Sequence, residues 1–164
     1  LFTHVFAGQA EDWYLLVSNI GYGFRVQLKD LQSKNKAGKA VITLPVGAKA
    51  LAPACINDSN YVAVATLQGR LLIFPVQELP ALAKGKGNKL IQIKPADFSA
   101  DKDEVVAVCL ITEGSGLKIL SGKRHLALKE KDIEAYSGAR AKRGSALPRG
   151  FQRVDAIMSE VDIT

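Results

Sequence analysis

Residues 61–94 read YVAVATLQGRLLIFPVQELPALAKGKGNKLIQIK. Two apolar runs rich in β-branched residues, 61–66 and 71–76, flank Gln68-Gly69-Arg70, which is the composition of a β-hairpin. Pro75, near the end of the second run, argues for an edge position because it cannot donate to a ladder. Leu79 and Pro80 then turn the chain into Ala83-Lys84-Gly85-Lys86-Gly87-Asn88, and a further strand is expected over 89–93. Glycine lets the backbone approach a partner closely, and each lysine beside it puts a positive charge where an anion could sit.

The same order of elements recurs on both sides. Before it, strands are expected over 13–17 and 24–28, separated by a turn over 19–23. A basic stretch with Lys34, Lys36 and Lys39 follows, then strands over 40–44 and 51–56. After it come strands over 105–111, 117–120 and 125–128, the last two joined at Gly122-Lys123-Arg124. A short amphipathic turn or helix is expected over 129–136, and then a third basic stretch containing Arg140, Lys142, Arg143, Arg149 and Arg153. Leu31, Leu79 and Ile133 occupy matching places before the three stretches. Gly23 to Gly69 is 46 residues and Gly69 to Gly122 is 53.

A four-stranded unit of about 45 residues has the period of a propeller blade. The expectation is an all-β chain with about three blades, in units 13–56, 61–111 and 117–159. Residues 1–6 fit the last strand of a preceding unit, and 95–103 reads as a polar loop. A β-sandwich with evenly spaced hairpins is the competing architecture.

Charge follows the repeat. The chain of 164 residues has a net charge of +6. Three windows, 31–57, 79–96 and 135–154, hold 13 of the basic residues and no acidic one, while the rest of the chain carries nine basic and sixteen acidic residues. Segregation of this kind suits an extended polyanion as partner. Cys55 and Cys109 each sit alone in an apolar run and read as buried free thiols of a cytosolic protein. No apolar run approaches the length of a membrane helix, and no signal-peptide pattern opens the chain. Its start, Leu-Phe-Thr-His, is expected of a fragment of a longer protein.

Catalytic patterns do not emerge. His4 and His125 have no His or Cys at metal-ligand spacing. Gly21-Tyr22-Gly23 precedes a strand, so it is not a dinucleotide fingerprint, and Lys84-Gly85-Lys86-Gly87 lacks the Lys-Ser/Thr and helix of a P-loop. Lysine and arginine in glycine-rich loops suit phosphate contact through charge and backbone N–H groups. The first two windows contain no aromatic residue, which disfavours a base-stacking single-strand platform. The residues point to sequence-nonspecific contact with the duplex backbone, on a surface whose curvature would bend the DNA.

In combination and in order, several motifs resemble the C-terminal domain of the A subunit of bacterial DNA topoisomerase IV, a relative of the C-terminal domain of the DNA gyrase A subunit. The first set is Gly21-Tyr22-Gly23-Phe24, Asn35-Lys36-Ala37-Gly38-Lys39-Ala40 and Thr43-Leu44-Pro45. Gln68-Gly69-Arg70-Leu71, Phe74-Pro75-Val76 and Lys84-Gly85-Lys86-Gly87-Asn88-Lys89 continue it, and Arg143-Gly144 and Arg149-Gly150-Phe151-Gln152-Arg153-Val154-Asp155 complete it. The resemblance runs from about residue 13 to residue 155.

It implies a broken β-propeller, or β-pinwheel, whose blades exchange strands, as a single domain over 1–164 that binds and bends DNA on a basic rim. The rim candidates are Lys34, Lys36, Lys39, Arg70, Lys84, Lys86, Lys89, Lys123, Arg124, Arg140, Lys142, Arg143, Arg149 and Arg153. The parent implied is a cytoplasmic, nucleoid-associated type IIA topoisomerase of two A and two B subunits. It decatenates chromosomes and relaxes supercoils, using ATP and Mg²⁺ through other domains. The catalytic tyrosine of that family lies in a part absent here, so Tyr14, Tyr22, Tyr61 and Tyr136 do not inherit its role. The gyrase arginine-glycine box is represented only by relatives such as Ala141-Lys142-Arg143-Gly144, which puts full wrapping of DNA in doubt. The alternative, from another class, is a protein-interaction propeller docking an acidic chromosome-organising partner.

Overall fold

The structure is a computed structural model and describes residues 12–27, 44, 47–51, 54–56, 60–82, 87–151 and 153–160. The expected strand over 1–6, all but the last residue of the one expected over 40–44, and the first basic stretch with Lys34, Lys36 and Lys39 lie outside the described residues, as do Lys84 and Lys86.

Among the described residues, three antiparallel sheets account for the strands. The first runs β3 (Ala54–Cys55), β1 (Trp13–Val17), β2 (Tyr22–Gln27), β6 (Asn88–Lys89). The second runs β10 (Ser145–Ala146), β5 (Arg70–Pro75), β4 (Tyr61–Thr66), β7 (Val105–Ile111). The third runs β11 (Ala156–Glu160), β8 (Gly116–Ser121), β9 (Arg124–Leu128). Among the described residues, two short helices, α1 (Pro95–Ser99) and α2 (Glu130–Tyr136), and a 3₁₀ turn at Val76–Glu78 accompany the strands. The expected all-β architecture of hairpin-built blades is what the chain forms.

Alternation along the middle sheet explains why its strands read as unbroken apolar runs. Successive side chains on a strand point to opposite faces. Val62, Val64, Leu72 and Phe74 join one buried cluster with Leu15, Val17 and Leu90 of the first sheet's side. Ala63, Ala65, Leu71 and Ile73 join a second cluster with Leu117, Ile119 and Ile157 of the third sheet. With both faces covered, no polar residue alternates in, as in any sheet buried on two sides. β7 touches both β3 and β11. The end strand β7 of the middle sheet is therefore next to the end strands β3 and β11 of the other two, and β6 and β10 sit at the opposite end of their sheets. Asn19, itself buried, ties the first two units: its Oδ1 accepts from the Lys49 N–H at 2.8 Å and its Nδ2 donates to Glu104 Oε2 at 2.8 Å.

Sheet membership departs from sequence order at two places. β6 comes from the second unit but pairs with β2 of the first, and β10 comes from the third unit but pairs with β5 of the second. Both are two residues long, too short to leave a periodic signal. The run 89–93 becomes β6 only at its start. Leu90, Ile91 and Ile93 are buried as core contacts beyond the ladder. Residues 95–103, read as a loop, begin with α1, which has Pro95 in its first turn, where a missing N–H costs nothing. Pro75 lies at the end of an inner strand rather than on an edge strand. β10 pairs with β5 only at Arg70 and Leu71, so no ladder donor is demanded from Pro75 on that side. The turn equivalent to Gly69 is closed by Gly21, which directly precedes β2, whereas Gly23 lies inside β2.

Candidate nucleic-acid interface

Each of the two later basic stretches is bracketed by the outer edge of the preceding sheet. Ahead of the second stretch, the Arg25 N–H donates to the Pro80 carbonyl and the Leu82 N–H to the Arg25 carbonyl, both at 2.8 Å. Behind it, Asn88 and Lys89 pair with Gly23 and Tyr22, and the Leu90 N–H donates to the Gly21 carbonyl at 2.7 Å. The third stretch repeats the pattern one sheet on. The Gly138 N–H donates to the Ile73 carbonyl at 2.9 Å, Ser145 and Ala146 pair with Leu71 and Arg70, and the Leu147 N–H donates to the Gly69 carbonyl at 2.8 Å. The described residues on either side of the second stretch are thus anchored on β2, and residues 139–144 lie between equivalent anchors on β5. In this register Ala81 matches Ser137, so Leu79 matches Ala135 rather than Ile133; α2 takes up the difference.

The two brackets meet at one seam. The Ala141 N–H donates to the Leu90 carbonyl at 2.8 Å and the Gln92 N–H to the Lys142 carbonyl at 2.9 Å. Lys89 Nζ donates to Gln92 Oε1 at 3.0 Å and stands 5.9 Å from the centre of the Tyr22 ring. Lys89, Arg140, Lys142 and Arg143, drawn from two windows, are brought into one region, and Lys142 and Arg143 are exposed.

Lys123 and Arg124 form the tip of the β8–β9 hairpin, and Arg149 and Arg153 lie on the segment leading into β11; all four are exposed. The Ser121 hydroxyl donates to the Arg153 carbonyl at 2.6 Å, and the Gly122 N–H donates to the Asp155 carboxylate, so the hairpin tip and that segment are held together.

Two candidates also bond the backbone. The Arg70 guanidinium donates to the Gly144 carbonyl at 3.2 Å. The Arg140 guanidinium donates to the Lys89 carbonyl at 2.7 Å, while its own N–H reaches Glu78 Oε1 at 3.0 Å. Both side chains clasp an exchanged segment to its neighbour. Arg25, not singled out from sequence, does the same. Its Nε donates to the Leu79 carbonyl at 3.0 Å, and its guanidinium stands 5.9 Å from the centre of the Trp13 ring. Arg25 and Arg70 lie on strands and Arg140 in a basic stretch, so no shared local pattern marks these hydrogen bonds.

Among the described residues, three titrating groups are shifted. Burial pushes the Asp103 carboxyl up, against the opposing N–H donors of Gln68 and Glu104. Burial likewise pushes the Cys109 thiol up, and pushes Tyr136 up with help from the Asp132 charge. Cys55 and Cys109 are both half-buried and free of disulfide. Among the described residues, no helix is long and apolar enough to cross a membrane.

The family described as DNA gyrase C-terminal domain, beta-propeller, matches residues 12–57 and 60–108. Similar curated proteins are the A subunits of DNA topoisomerase 4 from Pseudomonas aeruginosa, 45% identical over 90% of this chain, and from Haemophilus influenzae, 46% identical over 84%. That of Escherichia coli is 39% identical over 97%. The chain spans about a fifth of the length of these relatives: 20%, 18% and 21%. Among solved structures, the E. coli ParC C-terminal domain superposes with a TM-score of 0.84 at 37% identity, over 93% of this chain and 62% of that one. A DNA gyrase A C-terminal domain shares the fold, with a TM-score of 0.69 at 20% identity, over 89% of this chain and 48% of that one. By fold and matched residues, the chain belongs to the DNA gyrase C-terminal domain family of β-propellers, and it is similar to the corresponding part of topoisomerase IV A subunits.

Proposed function

We propose that this chain is the DNA-binding and DNA-bending module of a type IIA topoisomerase, carried on the A subunit of topoisomerase IV, and that it grips duplex DNA without regard to base sequence. The observation that carries this reading is the repeated bracket: two acid-free, lysine- and arginine-rich stretches are anchored at equivalent places on the outer edges of successive sheets. Cations spaced along a rim suit a polymer of phosphates, and their contribution to affinity is release of condensed counterions. Contacts with phosphates fix position and path, and carry no sequence information by themselves. A duplex following successive sheets would be bent, with a deformation cost that the added contacts offset.

In the parent enzyme, the module would present a DNA segment for strand passage in decatenation and supercoil relaxation. The B subunits, a second copy of the parent chain, and the ATP and Mg²⁺ of the reaction would engage other parts of the parent. The expected setting is the cytoplasm, at the nucleoid. Relatives among the A subunits of topoisomerase IV and the shared propeller fold support the assignment.

The test is charge reversal of the second bracket, Lys84→Glu, Lys86→Glu and Lys89→Glu together. Affinity for two duplexes of unrelated sequence is expected to fall by the same factor. A loss confined to one of them would contradict sequence-independent binding.

A further inference from the structure

We propose that the tip of the β8–β9 hairpin and the segment entering β11 together form a seat for a single phosphodiester group. The proposal rests on the DNA-binding reading above and adds to it one place and one stoichiometry.

Lys123, Arg124 and Arg153 line one open depression of about 490 Å³. Some thirty residues separate the hairpin tip from Arg153, and two hydrogen bonds close that gap: Ser121 Oγ to the Arg153 carbonyl, and the Gly122 N–H to Asp155. A third, from the Asp155 N–H to the Leu120 carbonyl at 2.8 Å, fixes the base of the depression. Asp155 is the one carboxylate in the lining, and the Gly122 N–H already engages it. Three cations therefore face one spoken-for anion.

Gly150 lines the same depression beside Arg124. Gly150 has φ +98°, and a Cβ there would stand 2.7 Å from a guanidinium nitrogen of Arg124. The positive φ is the feature that favours glycine at this position.

The chemistry of the lining selects the ligand class. A guanidinium fork matches phosphate oxygens in bidentate fashion, and a lysine ammonium adds a point charge. The depression is open rather than enclosed, which suits a group carried on the surface of a polymer. If the three cations converge on one phosphate, they displace one phosphate's counterions between them, not three.

The experiment compares the unaltered chain with the combined variant Lys123→Gln, Arg124→Gln, Arg153→Gln. It measures the slope of log Kobs against log[salt] on a short duplex. Each single replacement is expected to lower affinity at fixed salt by about tenfold. The triple replacement is expected to reduce the slope by about 0.9, one phosphate's worth. A reduction near 2.7 would mean three separate rim contacts, and no reduction would mean no contact; either overturns the seat.

The two readings fail differently. A flat slope for the unaltered chain sinks DNA binding and the seat with it, whereas a steep slope unmoved by the triple variant sinks only the seat. Amide shifts of Gly122 and Gly150 in the unaltered chain give a second readout that needs no variant to fold. Both are expected to move on addition of duplex. Movement with inorganic phosphate but not with duplex would overturn the assignment to DNA.

Discussion

Gly87 packs directly on the backbone of Gly23: a Cβ at Gly87 would overlap the Gly23 carbonyl oxygen. Gly87 has φ +82° and is the residue by which the second basic stretch re-enters the first sheet. Its counterpart in the next unit is Gly144, φ +81°, where a Cβ would meet the Leu71 carbonyl oxygen at 2.8 Å. One contact thus fixes both the exchanged strand and the far anchor of a basic loop.

Gly87→Ala combines a backbone overlap with a left-handed dihedral angle, so it is expected to destabilise the chain by about 2 kcal/mol or more. Gly144→Ala meets a looser contact and is expected to cost less. Urea unfolding of the two variants checks the order. Equal midpoints, or an unchanged Gly87→Ala protein, would contradict the pinning role.

Arg140 and Lys142 are two residues apart, yet their substitutions are expected to separate. Arg140→Ala removes the guanidinium bond to the Lys89 carbonyl and should lower stability by about 1 kcal/mol while changing the salt slope of DNA binding little. Lys142→Ala should leave stability near its starting value and reduce the slope by about 0.9. Unfolding and binding measured side by side on each variant decide the matter, and a reversed pattern would return Arg140 to the rim.

Asp103 gives the fold an acid-range signature. Its carboxyl is raised above 3.8 by burial, so its ionisation opposes folding. Its favourable contribution is fully present below pH 3.8 and is lost as pH rises through the higher folded-state value. Asp103→Asn keeps an oxygen to accept from the Gln68 N–H and removes the charge. Relative to the parent, this variant should be most stabilised at neutral pH, with the difference shrinking toward pH 3.8. Unfolding midpoints across that range check the sign; a difference that grows on acidification would contradict it.

Cys109 is held mostly as thiol at neutral pH because burial raises it above 9.0. Its reaction with a disulfide reagent is expected to be slower in the folded chain than in urea. Site-resolved labelling would show this, and equal rates in both conditions would contradict it.

The hairpins were legible because their signals are local. The 61–66 and 70–75 strands flank a glycine turn, and the 116–121 and 124–128 strands repeat that arrangement. The 129–136 stretch showed helical spacing and contains α2. Strand exchange was not legible from local pattern. Asn88–Lys89 and Ser145–Ala146 are two-residue strands whose partners lie some 65 to 75 residues earlier, so no local periodicity marks them. Leu90, Ile91 and Ile93 look like a strand because burial, not pairing, selects them. At the interface, the clustering of charge was readable, but the division of labour was not. Arg70 and Arg140 carry the same side chain as Arg124 and Arg153, and only the carbonyls of Gly144 and Lys89 set them apart.

A cationic rim that grips the duplex backbone binds without regard to base sequence. This is tested most directly by log Kobs for this chain on two duplexes of unrelated sequence, measured across a salt series. The account predicts two steep, superimposable lines, each falling by about 0.9 per phosphate contacted. A nearly flat dependence, or lines separated by a large sequence preference, would contradict it.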